Sequence, residues 1–267
     1  MGDVSYLPLI EDMTWSYSRV EAFDDCPYRF FLKYIHGSNE QDKFYATYGS
    51  LMHELIEEYY NEGLSNDELC ERFLLRFPEQ VIGERPNPDI AGRYVRSGIE
   101  YLRNVKPMKY HTIGVEKKVE FEINGYNFLG FIDYLGELDG EYYIVDNKSR
   151  DLKPRSNRKT PTLKDKELDK MLRQLYLYSA AVKQEYGKFP KSLCFNCFRT
   201  GVFIEEPFKI EDYKSAISWA TESIEYIKES DDFPPSIDFF ACRYICGVSD
   251  DCVYDQITRE GRRRGVK

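Results

Sequence analysis

Two turn dipeptides do most to constrain this chain. Asn124-Gly125 and Asp139-Gly140 separate three strand-like runs, 113–123, 126–136 and 141–148. Asn-Gly and Asp-Gly reach the positive φ angles that a two-residue hairpin needs, and period-two alternation marks a strand with one buried face. Three consecutive antiparallel strands are therefore expected. Around them the pattern changes to helical spacing. Residues 14–35 read as two short helices: Ser18 and Glu21 fit a capping box, Pro27 suits the first position of the second helix, and Cys26 falls at the break. Leu51, Leu55, Ile56, Tyr59 and Tyr60 share a face of a helix over 48–62, and 65–106 continues as helix with an interruption at 83–89. A polar, basic loop over 149–168 precedes a helix over 169–186, a strand pair over 192–206 and a helix over 210–229. This order describes a mixed α/β domain with a substantial antiparallel part.

The second hairpin carries charge where strands rarely do. Alternation along 141–149 puts Tyr142, Ile144, Asp146 and Lys148 on one face. Counting back equally from Asp139-Gly140 sets Asp133 opposite Asp146, about 5.5 Å apart at the backbone. Two carboxylates that close repel each other unless a cation lies between them, and a hard divalent ion takes oxygen ligands from both. The backbone carbonyl of Asn147 adds a third oxygen. Lys148 then stands beside the ion, placed to orient or polarise a water or to stabilise charge on a phosphate. Taken alone, the same residues also describe a surface hairpin with an Asp–Lys ion pair.

The 267 residues, 42% of them apolar, suffice for a sizeable core. No apolar run approaches 18 residues and no signal-peptide pattern is present, so a soluble, cytoplasmic chain with no membrane contact is expected. A formal charge of −9 argues against a surface coated in phosphate-binding charge but leaves room for a local basic groove. Lys153, Arg155, Arg158, Lys159, Lys164 and Lys166 in the basic loop are candidates for nucleic-acid backbone contact, or simply solvated. The seven cysteines are an odd number, which favours metal ligation over a disulfide framework. Cys242, Cys246 and Cys252 cluster near the C-terminus; zinc and iron–sulfur both suit them. Cys194 and Cys197 would lie on opposite faces of a strand and, with Cys70, read as core or edge residues.

Five segments, SYSRVEAFDDCPYRFFLKY (16–34), YGSLMHELIE (48–57), GFIDYLG (130–136), YIVDNKS (143–149) and QLYLYSAAV (174–182), run in the order of the PD-(D/E)XK nuclease superfamily, and the chain resembles its RecB-like branch. The resemblance implies a single domain over 1–267 with a restriction-endonuclease-like core, a mixed central β-sheet flanked by helices. A helical insertion at about 50–110 and a cysteine module of residue 26 plus 240–254 would be added to it. By the same resemblance His53, Asp133, Asp146 and the Asn147 carbonyl hold Mg²⁺ or Mn²⁺, Lys148 is the catalytic lysine, and Gln174 and Tyr178 touch substrate or support that lysine. HELIE lacks the second histidine of a zincin motif, and Glu57, one turn after His53, is either a neighbour of the site or solvated.

The cysteines extend the likeness to iron–sulfur relatives, which include the CRISPR-associated adaptation exonuclease and the AddB helicase-nuclease subunit. In these, one N-terminal and three C-terminal cysteines hold a [4Fe–4S] cluster. Cys26, Cys242, Cys246 and Cys252 match, with C-x3-C-x5-C here where C-x2-C-x5-C is usual. The implied function is a metal-dependent DNA exonuclease acting on single strands or free ends, partnered by recombination, repair or CRISPR adaptation proteins, phage recombination included. Rival readings are a noncatalytic DNA-end or partner-binding subunit and a nuclease acting on RNA. No P-loop sequence is present, so no motor is expected in this chain.

Overall fold

A computed structural model of the chain describes residues 6–255. Five strands form one sheet in the order β1 (His111–Ile123), β2 (Tyr126–Leu138), β3 (Glu141–Asn147), β4 (Ser192–Cys197) and β5 (Val202–Pro207). β1, β2 and β3 are the expected meander, and β4 pairs with β5 antiparallel. β3 and β4 are parallel, a pairing that requires a crossover. The helix over Leu163–Tyr186 supplies it, and its apolar stripe, Leu168, Leu172, Leu175 and Val182 among others, is buried in the main core. Ile144, Leu193 and Phe195 belong to that core, whereas Tyr143, Val145 and Cys194 face the other way with Tyr110 and Tyr134.

The helices, in chain order, are α1 (Leu7–Ile10), α2 (Tyr17–Asp25), α3 (Pro27–Phe30), a π-helical turn Phe31–His36, α4 (Phe44–Glu62), α5 (Asn66–Gln80), α6 (Asp89–Asn104), α7 (Leu163–Tyr186), α8 (Ile210–Glu229) and α9 (Phe239–Tyr244). α4, α5 and α6 enclose a second core of Tyr48, Leu51, Leu55, Phe73 and Leu102, joined by Phe198 from the β4–β5 turn. The architecture is α/β, a mixed five-stranded sheet flanked by helices. Among the described residues no helix is long and apolar enough to cross a membrane.

Several local expectations shift. Ser18 is not a cap: Ser16 is the N-cap of α2 and accepts from the Arg19 N–H, while Glu21 accepts from the Tyr17 hydroxyl. Pro27 does open α3, with Cys26 at the junction. α4 begins four residues before Tyr48, and the basic loop ends six residues early, because Thr162 and Asp165 form a capping box that starts α7 at Leu163. Lys164 and Lys166 are thus helical.

Candidate functional site

The β2–β3 register runs from Leu138↔Glu141 to Tyr134↔Val145, as the Asp139-Gly140 turn dictates. Asp133 and Asp146 come one step beyond this last pair, and both are buried. The ladder does not pair them. The Asp133 carboxylate instead accepts the Asn147 backbone N–H at 2.6 Å. On β2, Ile132 and Leu135 both belong to the main core although they stand three positions apart, with two residues between them, so the alternation slips at Asp133-Tyr134.

Lys148 lies just past β3, where its N–H continues the parallel ladder to the Asn196 carbonyl at 2.9 Å. Its ammonium reaches the Asp146 carboxylate, 3.0 Å from Oδ1 and 2.8 Å from Oδ2, and donates to Gln174 Oε1 at 2.9 Å. Burial works against the charged lysine, but Asp146 and Asp133 outweigh it and the pKa is raised. Gln174 in turn donates to the Tyr178 hydroxyl at 3.3 Å. The i, i+4 pair on α7 therefore fixes the lysine by hydrogen bonding. Gly130 lets α7 come this close: a Cβ there would overlap the Tyr178 ring.

α4 brings His53 to the same place. Its Nε2–H donates to the Asn147 carbonyl at 2.9 Å, and its Nδ1 lies 3.4 Å from Glu116 and 3.5 Å from Asp133. The carbonyl expected to ligate a metal thus carries the imidazole in this geometry. Burial alone would lower the His53 pKa; Glu116, Asp133 and Asp146 together raise it. Asp133 is pushed up, first by burial and then by the charge of Asp146.

Glu116 was absent from the expected set. Ligand atoms of His53, Glu116 and Asp133 lie within 4.8 Å of one another, the arrangement a metal ion needs. Glu116 sits at φ 47, rare for a residue with a side chain, between the pairs Val115↔Tyr134 and Lys117↔Ile132. The signal was available: counting back from Asn124-Gly125 sets position 116 opposite 133. Glu57 lines the cavity that His53 and Glu116 share, and its pKa is raised by burial and then by Glu116.

The basic loop is partly committed to internal pairs. Arg155 bridges Glu206 at 2.9 Å and Asp169 at 2.7 Å, Lys153 pairs with Asp151 and Lys164 with Glu167. Elsewhere, Cys26, Cys242, Cys246 and Cys252 line one cavity with Arg29, Pro235 and Val248. The Cys26 sulfur accepts the Ser236 N–H at 3.3 Å. Cys194 and Cys197 are fully buried on opposite faces of β4, and Cys70 is half-buried on α5.

The family model described as the PD-(D/E)XK nuclease superfamily matches residues 14–253. A crystal structure named "Putative exonuclease" from Eubacterium rectale is 14% identical and covers 92% of this chain and 94% of its own, with a TM-score of 0.51. At that identity the likeness concerns the fold alone, and the sheet with its flanking helices is consistent with a restriction-endonuclease-like core. The crystal structure of SSO0001, 12% identical over 88% of this chain and 95% of its own, has a TM-score of 0.26 and carries no argument. No curated protein matches the chain. The profile match spans both the sheet and the residues gathered on it, and the chain belongs to the PD-(D/E)XK nuclease superfamily.

Proposed function

We propose that the chain is a RecB-like, metal-dependent deoxyribonuclease that works as an exonuclease on single-stranded or free-ended DNA. The observation that carries this reading is the Lys148 ammonium, held between Asp146 and Gln174 beside the His53–Asp133 pair. A structural ion pair would not need a glutamine and a tyrosine to orient the lysine.

The donor set fits a hard divalent ion. His53, Glu116 and Asp133 converge, and Asp146 Oδ2 is buried without a well-formed hydrogen bond although the lysine is 2.8 Å away. His53 through Nδ1, Glu116, Asp133 and Asp146 would hold Mg²⁺ or Mn²⁺, and the Asn147 carbonyl, expected as a ligand, instead accepts the His53 Nε2–H and orients the ring. When bound, the ion supplies a Lewis acid for the phosphate and lowers the pKa of water. Lys148 places a positive charge where the attacked phosphate gains negative charge. Gln174 and Tyr178 keep that charge in place.

The four cysteines suit a [4Fe–4S] cluster. They line one cavity, and no three of their sulfurs lie within 4.8 Å of one another. A single tetrahedral zinc, with Zn–S bonds of about 2.3 Å, needs them closer. When bound, such a cluster supplies a covalent tie between the start of the fold and its end.

End-labelled linear and circular single-stranded DNA, incubated with Mg²⁺, Mn²⁺ or EDTA, tests the activity. Degradation of the linear form that needs metal and falls about 10³-fold in Asp146→Ala and Lys148→Ala is expected, the scale of losing one transition-state stabiliser. Cleavage of circles would make it an endonuclease, cleavage of RNA alone would change the substrate, and activity untouched by both changes would misplace the site.

A further inference from the structure

Phe131 lies mid-strand on β2, two residues before Asp133, and is 49% exposed. It lines the cavity of about 730 Å³ that also holds His53 and Glu116. Ala46, Gly49 and Ser50 line the same cavity from α4, at spacings that share one helical face with His53. That face is smooth: a Cβ on Gly49 would meet nothing within 4 Å. The result is an open slot bordered by an aromatic ring and a helix face of small residues, with Tyr45, Glu54 and Glu57 also on its lining. Ser149 lines it too, and its carbonyl accepts the Arg199 Nε–H at 2.8 Å. The other N–H groups of that guanidinium carry no hydrogen bond or ion pair among the described residues, and it lies over the Tyr94 ring.

We propose that Phe131 is a nucleobase platform: an unpaired base of the substrate strand stacks on its ring in the slot beside α4, next to the phosphate to be cut. This rests on the nuclease reading of the same site and adds what selects the strand. A base inside a duplex has both faces stacked on its neighbours, and only an unpaired or frayed base has a face to offer. Stacking is indifferent to base identity because every base has a π-face. Arg199, bound to the carbonyl of slot-lining Ser149, lines the neighbouring cavity, where it is placed to meet the adjoining phosphate. The platform therefore selects single strands and open ends without reading sequence.

The test is binding without cleavage. A single-stranded oligonucleotide carrying 2-aminopurine is titrated with the full chain in EDTA and in Ca²⁺, and quenching of the base is followed. Wild type and Phe131→Trp are expected to quench it, while Phe131→Ala loses the quenching and weakens binding about tenfold, as one base–aromatic stack allows. Tyr226→Ala, which removes an exposed aromatic of α8 that lines neither this slot nor the cavity of Arg199, is expected to bind as wild type. Equal quenching by Phe131→Ala and wild type overturns the platform, and so does a wild type that leaves the base unquenched. Because no cleavage is required, a wild type that binds but cuts no DNA refutes the nuclease reading and leaves this result standing. If Phe131→Ala slows cleavage of an abasic oligomer as much as that of a normal one, the ring serves the backbone and the proposal fails.

Discussion

At the scale of single residues, the site resists being empty of positive charge. Asp133 and Asp146 are buried together, Asp133 is pushed towards its protonated form, and His53 is drawn towards its cationic form by the carboxylates around it. A metal ion needs the opposite states, a carboxylate and a neutral imidazole. Both pKa values are raised, so protons compete with metal at neutral pH and are lost as pH rises. Mn²⁺ affinity should therefore climb from pH 6 to pH 9, about tenfold per unit for each proton displaced. Calorimetry in buffers of different ionisation enthalpy would count the protons released. Glu116→Gln should weaken Mn²⁺ binding in the same titration; an unchanged affinity would make Glu116 only a partner of His53.

At the scale of elements, α7 connects Lys148 to the sheet. It is the crossover between β3 and β4, and it carries Gln174 and Tyr178 on the face that meets Gly130. Gly130→Ala would drive a methyl group into the Tyr178 ring. A loss of about 1–3 kcal/mol in stability is expected, as for overpacking elsewhere. Nuclease activity should fall further than stability alone explains, since the ring holds Gln174. The start of α7 depends on Asp165, which accepts from the N–H and hydroxyl of both Ser156 and Thr162. These bonds hold its carboxyl well below the usual carboxylate range, so its stabilisation is present above about pH 4 and fades as pH falls further. Asp165→Ala should lower the melting temperature at pH 7 and expose 149–162 to protease, with the melting difference shrinking in acid. An equal difference at both pH values would exclude the carboxylate as the cause.

At the scale of the whole molecule, the cysteine cavity joins the segment around residue 26 to residues 235–255. Cys26 comes from the α2–α3 junction, and Cys242 and Cys246 from α9 and the turn after it. The same region holds the start of α4: Lys43 donates to Ser249 at 2.8 Å, and the Gln41 N–H to the Gly247 carbonyl at 2.7 Å. His53 lies further along that helix. On the proposed cluster, anaerobically purified protein should be brown and hold iron, and Cys246→Ser should abolish both and lower the melting temperature, because a tie closing so long a loop removes much unfolded-state freedom. Bound zinc without iron would replace the cluster by another metal, and a colourless wild type with free thiols would remove it.

Much of the fold is legible in local chemistry. The Asn-Gly and Asp-Gly turns fix hairpin register through backbone conformation alone, and α8 falls at Ile210–Glu229 where its periodicity puts it. Lys148, Asp146 and Asp133 stand out because charge on a strand is costly unless something uses it. Glu116 was legible by the same counting but hidden among the glutamates of β1. The resemblance named which distant residues share the site, and what only the tertiary structure decided is how they meet, with Glu116 among them. The parallel pairing of β3 with β4 sets α7 over the sheet, and packing of α4 carries His53 to the Asn147 carbonyl. Sequence determines periodicity and turns because they are properties of neighbouring residues. Convergence across ninety or more positions is decided by which apolar faces bury one another, and no local pattern encodes that.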